Sequence, residues 1–288
     1  MPVGTSGARA PAEGRYRART LASAPPRGAV RVALIAHMVG RNEGDRYLRD
    51  VIGRLRTFAD EIVFVDDASD DDTLTIARDL GCQAFASRWP TPHFPINEGE
   101  LRHDAWQRLA GIAQPDDWIL AVDADELLFG TERLADLTGQ RRYDVLGVTF
   151  FHMWSPSQYR TDNQWRPAVG PRLFRYWPDG RFDTRPLAGG STPTYVDTMI
   201  ARGRVLWNTP LKMMHLGYLR DEDKLTKAHR YEALDHGRYH PGSHLESILD
   251  ADPVLVDWDE SAPTPRTDAA HQHWRRFQAW RRTRHGPD

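Results

Sequence analysis

A cluster of acidic residues follows a short apolar segment near the middle of this 288-residue chain. The run from Ile119 to Val122 is apolar with β-branched ends, which is typical of a buried strand. Asp123, Asp125 and Glu126 come directly after it. Because carboxylates at the end of a buried strand repel one another and are costly to desolvate, we expect a positive partner. A hard divalent cation, held by one or two carboxylates and by phosphate oxygens, fits this pattern. The alternative explanation of this acidic cluster is the N-terminus of a helix, which also favours carboxylates.

The segments around this cluster alternate between strand and helix patterns. We predict strands at 30–39, 61–65, 83–86, 118–122 and 143–151, with helices at 44–58, 70–80 and 97–112. This order predicts an α/β fold with a mostly parallel sheet flanked by helices. Ligands of such sheets bind beyond the carboxyl ends of the strands. We therefore expect the polar segments 37–43, 66–67 and 123–126 to share one rim.

From about residue 152 the alternation weakens and tryptophans appear among Pro, Arg and Gly: Trp154, Trp165, Trp177 and Trp207. We predict irregular strands and loops packed on the rim, followed by helices at 222–236 and 244–250. The tryptophans suit a platform for sugar rings, but large aromatic side chains more commonly fill a core.

Composition restricts the class of protein. The net charge is −2, yet residues 1–28 carry five Arg and one Glu, and residues 261–288 carry six Arg and two Asp. We predict a disordered basic tail at 1–28 and a basic C-terminal helix or tail at 261–288, flanking one domain. The acidic centre argues against a nucleic-acid binder. Cys82 is the sole cysteine, which excludes an internal disulfide. Without a signal-peptide or membrane-spanning pattern, a cytoplasmic protein is expected.

In this order, the motifs resemble those of family-2 glycosyltransferases with the GT-A fold. Asn42-Glu43 follows the first strand, Val65-Asp66-Asp67-Ala68-Ser69 ends the second, and Asp123-Ala124-Asp125-Glu126 follows the fourth. The resemblance covers roughly residues 30–150. It implies a nucleotide-diphosphate sugar donor bound by the half spanning 29–151, an acceptor side at 152–260, and Mn²⁺ or Mg²⁺ as cofactor.

The resemblance also implies residue roles. Asp125 is expected to contact the metal, and Asp123 the ribose or the water shell of the metal. Asp67, then Asp66, would hold the base or ribose, and Arg102 the donor phosphates. The full set expected to bind the donor is His37, Asn42, Glu43, Asp66, Asp67, Arg102, Asp123, Lys227 and Arg230. Two of these have structural alternatives, since Asn42 could cap a helix and Arg102 could pair with Glu98 on the surface.

The second half resembles a smaller branch of the family more loosely, through residues 171–175 and 214–218. His215 is predicted as a further metal ligand, with a core histidine as the alternative. Lys227 and Arg230 would close over the diphosphate or solvate a helix face. That branch carries a His-Glu pair after the first of these segments, and this chain lacks it. Asp183 and Asp197 are therefore the candidates for the catalytic base.

Together these features predict a metal-dependent glycosyltransferase of the hexosyltransferase type, inverting, with an unidentified acceptor that is a glycan, a protein or a small molecule. A sugar-phosphate nucleotidyltransferase would require a Gly-rich loop after the first strand, to which Gly40–Gly44 is only faintly similar. A degenerate GT-A domain used for binding or scaffolding is the non-enzymatic alternative. The absence of Gly-x-Gly-x-x-Gly after the first strand argues against a dinucleotide oxidoreductase.

Overall fold

The computed structural model describes residues 32–184, 190–235 and 246–265. Its strands are β1 Leu34–Gly40, β2 Glu61–Asp66, β3 Gln83–Ala86, β4 Trp118–Ala121, β5 Glu126–Phe129, β6 Val145–Ser155, β7 Gln158–Arg160, β8 Ala168–Arg175, β9 Val205–Leu206, β10 Lys212–His215 and β11 Leu255–Asp257. Its helices are α1 Leu48–Leu55, α2 Thr73–Asp79, α3 Phe94–Gln107, α4 Leu134–Gly139, α5 Tyr195–Ala201 and α6 Asp221–Asp235, with 3-10 turns at Thr131–Arg133 and Asn163–Trp165. The predicted tail at 1–28 and residues 266–288 of the predicted C-terminal helix or tail lie outside the described residues.

The amino-terminal half confirms the predicted fold class. Strands β3, β2, β1 and β4 are parallel neighbours in that order, and β1 pairs on both sides. Alternate residues of β1 face opposite sides, as the two-residue period of a strand requires. Ala36 and Met38 pack with the apolar faces of α1 and α2, whereas Ile35 packs with α3 and α5. The sheet is therefore covered on both faces, which explains its continuous apolar runs.

Helix α3 begins earlier than predicted and has a kink. It opens at Phe94, but Asn97 is non-helical, with φ −157° and ψ 95°. The side-chain oxygen of Asn97 accepts the N–H of Glu100 at 3.1 Å. This is the geometry of an N-cap, so the predicted helix start is confirmed for the segment after the kink.

The second half is more regular than predicted. Strand β8 runs antiparallel between β4 and β6, and β6 also pairs in parallel with β10. Most residues of β6 are buried, which removes the polar alternation that marks a half-exposed strand. Trp154 and Trp165 are also buried and pack with Tyr218, so these two fill a core instead of forming a sugar platform. No helix of the described part is both long and apolar enough to span a bilayer.

Candidate active site

The acidic turn lies between β4 and β5. Asp123 and Asp125 follow β4, and Glu126 starts β5, which turns back to pair with β10. In that pairing Glu126 lies opposite His215, and the N–H of Leu216 donates to the carbonyl of Asp125 at 2.8 Å. Pairing between β5 and β10 therefore brings the late histidine beside the acidic turn, about 90 residues away along the chain.

Two functional groups converge on Asp125. His215 Nε2 lies 3.3 Å from Asp125 Oδ2, and Lys227 Nζ lies 3.4 Å from the same oxygen. Lys227 Nζ also donates to His215 Nε2 at 3.2 Å. A Cβ placed on Gly217 would collide with all three of these atoms. The missing side chain at position 217 therefore leaves a small cradle lined by an oxygen, a nitrogen and an ammonium.

Burial and the neighbouring charges determine the protonation states of Asp125 and His215. Burial alone would raise the pKa of Asp125, but His215 and Lys227 lower it well below its usual range. The pKa of His215 is lowered, first by burial and then by the Lys227 charge, which outweigh the attraction of Asp125. Near neutral pH the cluster thus consists of a carboxylate and a neutral imidazole, the forms in which both residues ligate metals.

These side chains fit a hard divalent cation. A carboxylate oxygen and a neutral imidazole nitrogen face the same cradle; the carboxylate suits Mn²⁺ or Mg²⁺, and the imidazole favours Mn²⁺ over Mg²⁺. Within the described ranges, no group of three or more His, Cys, Asp or Glu side chains is arranged around one point. Asp125 and His215 would therefore hold a cation together with phosphate oxygens of a ligand, as the sequence predicts.

Asp123 lies next to this cradle and is held by arginines. Arg102 Nη2 donates to Asp123 Oδ1 at 3.0 Å, and Arg172 Nη2 lies 3.7 Å from the other oxygen. Burial would raise the pKa of Asp123, but Arg102 and Arg172 lower it. The protein itself thus supplies part of the positive charge expected beside these carboxylates.

The position of Arg102 changes its predicted role. Its side chain is only 8% exposed, and besides Asp123 it bonds Glu98 at 2.7 Å. With two carboxylates on one buried guanidinium, Arg102 orients Asp123, and the expected contact with the donor phosphates is not supported. The alternative of a pair with Glu98 is confirmed, but the pair is buried and does not lie on the surface.

Glu126 is buried beside the acidic turn. It is 2% exposed, receives the N–H of Asp123 at 2.9 Å and bonds Arg172 at 2.9 Å. Burial raises the pKa of Glu126 to about 8, against the opposing influence of Arg172. Within the described structure, Nη1 of Arg172 is buried without a hydrogen-bond partner. Glu126 thus links the backbone of the acidic turn to Arg172 through hydrogen bonds.

Asp66, the last residue of β2, and Asp67 accept hydrogen bonds from neighbouring loops. Asp67 is 1% exposed, and its carboxylate accepts the N–H groups of His93 and Phe94 at 2.9–3.0 Å. Asp66 accepts both the N–H and the hydroxyl of Ser69. Both carboxylates therefore anchor loops at the sheet edge, and both are almost fully buried. Their predicted contact with the base or ribose is not supported by this geometry.

The loop after β1 joins the same rim. Asn42 has φ 54° and does not cap α1; its side chain accepts the N–H of Asp70 at 3.1 Å and so ties two loops together. Glu43 bonds Arg46 at 2.8 Å. Burial raises the pKa of Glu43 to about 7, and the nearby charge of Asp125 adds to the shift. His37 is buried within β1 and packs edge-on against Trp106, so it faces the core.

The two candidates for the base lie at different ends of the sheet. The backbone of Asp183 lies against Gly99, and Asn97 donates to the next carbonyl at 2.7 Å, so Asp183 lies beside α3 near Glu98. Asp197 lies in α5, whose first residue Tyr195 donates to the carbonyl of Arg175. Arg175 pairs with Trp118 at the start of β4, the end opposite Asp123. The structure thus does not bring Asp197 to the site. The side chain of Arg230 lies outside the described residues.

Sequence reasoning missed three residues of this region: His152, Arg172 and Gly217. His152 Nδ1 lies 2.9 Å from His215 Nδ1. None of the three forms a local motif with Asp125, because each reaches the site through pairing of distant strands or through a tight turn. The usable signals were the two segments of the family resemblance, since 171–175 contains Arg172 and 214–218 contains Gly217.

Comparison with known proteins identifies the family of this chain. The profile described as "Glycosyl transferase family 2" matches residues 37–208. An uncharacterised glycosyltransferase of Rickettsia felis is 32% identical over 93 residues, which cover 32% of this chain and 29% of the relative. One of Rickettsia prowazekii is 32% identical over 91 residues, covering 32% and 27%. The chain thus spans about three tenths of the length of these curated relatives.

Among solved structures, the mannosyltransferase PcManGT of Pyrobaculum calidifontis, in complex with GDP-Man and Mn²⁺, is similar with a TM-score of 0.48 and 13% identity. The likeness covers 78% of this chain and 66% of that protein. S. aureus TarS 1–349 is similar with a TM-score of 0.42 and 16% identity, covering 76% and 69%. The profile match covers more than half of the sequence, and the chain belongs to glycosyl transferase family 2.

Proposed function

We propose that this protein is a metal-dependent, inverting glycosyltransferase that moves a sugar from a nucleotide-diphosphate donor to an acceptor. Convergence of Asp125, His215 and Lys227 on the cradle beside Gly217 carries the proposal. A leaving nucleotide diphosphate develops negative charge, and a divalent cation bound here would neutralise it. The family profile favours this reading over a sugar-phosphate nucleotidyltransferase.

The residues around the cradle would have different roles in donor binding and in proton transfer. Lys227 lies on α6, and its side chain faces Asp125. Its ammonium group would bind oxygens of the donor diphosphate. Asp123, oriented by Arg102, remains 31% exposed and can accept hydrogen bonds from donor hydroxyls. Asp183 is the better placed of the two base candidates, because it lies along α3 close to Glu98. It would take the proton from the acceptor as the new glycosidic bond forms.

A thermal-shift experiment tests the proposal. Wild-type protein is mixed with UDP, GDP and their sugars, with and without Mn²⁺ or Mg²⁺. At 100 times the Kd, binding stabilises a protein by about 2.7 kcal/mol, or roughly 5–10 °C for a chain of this size. We expect one nucleotide to stabilise the protein only with metal, and Asp125→Asn to remove the effect. Asp221→Asn, at an exposed carboxylate of α6, is the matched control.

The non-enzymatic alternative gives a different result. A binding or scaffolding domain would bind the nucleotide sugar without releasing nucleoside diphosphate. Slow metal-dependent release of nucleoside diphosphate from the stabilising sugar, with water as acceptor, would support transfer. Nucleotide stabilisation that needs no metal and survives Asp125→Asn would contradict the proposed site.

A further inference from the structure

Two histidines from different parts of the chain meet behind the cradle. His152 in β6 and His215 in β10 are register partners in a parallel strand pair. Their Nδ1 atoms are 2.9 Å apart, a hydrogen-bond distance. One of these two nitrogens must therefore donate a proton and the other must accept it. The direction of this bond determines which nitrogen of His215 faces the cradle with a lone pair.

Two contacts on the opposite side of the ring bear on the direction. Lys227 Nζ lies 3.2 Å from His215 Nε2 and can only donate, whereas Asp125 Oδ2 lies 3.3 Å from the same nitrogen and can only accept. The shorter contact, with Lys227, makes Nε2 the acceptor, so that a neutral His215 carries its proton on Nδ1. That proton points to His152, whose Nδ1 must accept it. His152 consequently carries its own proton on Nε2.

We propose that His152 is a positioning residue, which holds His215 in the tautomer and ring orientation that direct the lone pair of Nε2 into the cradle. The inference rests on the proposed function, because that lone pair is what a cation would bind. Metal-binding histidines usually donate their second ring nitrogen to a fixed acceptor, and loss of the acceptor typically costs about 10–100-fold in metal affinity.

The surroundings of His152 keep its ring in place. Trp165 meets it edge-on with ring centres 5.5 Å apart, and Tyr218 meets it at 5.7 Å. Tyr218 also contacts the ring of His215 at 5.2 Å and lies under the ammonium of Lys227 at 4.5 Å. The buried aromatic cluster of the second half thus supports both histidines and the lysine from one side.

The first test uses wild-type protein without metal. Long-range ¹H–¹⁵N NMR spectra of ¹⁵N-histidine-labelled protein report the tautomer of each ring, and His215 is assigned by its absence in His215→Gln. We expect a proton on Nδ1 of His215 and on Nε2 of His152. The reverse assignment would overturn the inference. This measurement needs no variant of His152 and no metal, so it stands even if the proposed function fails.

The second test measures Mn²⁺ affinity, by calorimetry with UDP or GDP, in paired variants. His152→Leu removes the acceptor and should weaken Mn²⁺ binding about 10–100-fold. His152→Asn places a carbonyl oxygen near the former Nδ1 and should restore most of the affinity. His229→Leu, at an exposed histidine of α6, should change nothing.

The outcomes separate the two proposals. If wild-type protein takes up no Mn²⁺ with either nucleotide, the metal-dependent function is wrong and a role in metal binding fails with it. If wild-type protein binds Mn²⁺ and His152→Leu binds it equally well, only the role of His152 is wrong. Equal losses in His152→Leu and His152→Asn would also overturn it, because they would show that the acceptor atom is not what matters.

Discussion

Gly217 lies so close to Asp125 that a single added methyl group would occupy the space in front of the carboxylate. A Cβ at this position would also meet Lys227 Nζ and His215 Nε2, the latter at 2.8 Å. The turn after β10 therefore determines both which side chains meet and how much space remains between them. Substitutions at this glycine test the cradle while Asp125, His215 and Lys227 themselves remain unmutated.

Gly217→Ala should abolish Mn²⁺ binding, because its methyl group takes the place of the ligand. Overpacking should also cost about 1–3 kcal/mol of folding stability, measurable by urea denaturation. Gly53→Ala in α1 is the control, since nothing lies within 4 Å of its new methyl group, and a gain of about 0.5–1 kcal/mol is expected there. Unchanged Mn²⁺ affinity in folded Gly217→Ala would place the metal elsewhere.

Lys227→Met should weaken binding of nucleoside diphosphate about tenfold or more, since hydrogen bonds to charged groups contribute roughly 1.5–3 kcal/mol. Nucleosides without phosphate should bind equally to both proteins, and competition titrations can measure the two cases. Lys224→Met is the matched control, because Lys224 lies one turn earlier in α6 and pairs with the exposed Asp221. A similar loss in both variants would indicate a general effect of charge on the helix.

Arg102→Met should destabilise the fold by about 3–5 kcal/mol, because it leaves Asp123 and Glu98 without their buried partner. Arg108→Met, which breaks an i,i+4 pair with Asp104 at the C-terminal end of α3, should cost about 0.3–0.5 kcal/mol. Chemical denaturation measures both. Retained stability together with a selective loss of donor binding would restore the phosphate role expected from the sequence.

Asp67→Ala should cost about 2–4 kcal/mol of stability, because the N–H groups of His93 and Phe94 lose their acceptor in a buried site. Asp70→Ala, at a carboxylate whose side chain is 73% exposed, should change stability by less than about 0.5 kcal/mol. A stable Asp67→Ala protein with weakened nucleotide binding would show that the carboxylate contacts the donor after all.

His37 should make the protein sensitive to mild acid. Burial lowers the pKa of His37 from 6.5 to about 4, so the unfolded chain takes up a proton that the folded chain refuses. Its share of stability, roughly 3 kcal/mol, is complete above pH 6.5 and is lost as the pH falls toward 4. His37→Leu should flatten the fall in unfolding free energy between pH 7 and 4, whereas His229→Leu should not. An equally steep fall in His37→Leu would assign the acid sensitivity to other groups.

The sequence by itself determined the parallel amino-terminal half of the sheet and the site of its acidic turn. Strand β3 spans the residues predicted for it, and β2 and β4 differ from prediction by one residue at one end. These elements are readable because apolar runs, helix periodicity and caps such as Asn97 are local signals. The proximity of Asp123 and Asp125 follows from their positions two apart after one strand.

Only the tertiary structure decided which groups surround those carboxylates. His215, Arg172 and Lys227 come from segments roughly 50–100 residues away, and strand pairing and helix docking bring them in. The same long-range packing turned Asp67 into a loop anchor and gave Arg102 its second carboxylate partner, Asp123. Local patterns report burial and backbone conformation, whereas the partner of a buried charge depends on the register between distant strands, which no window of sequence contains.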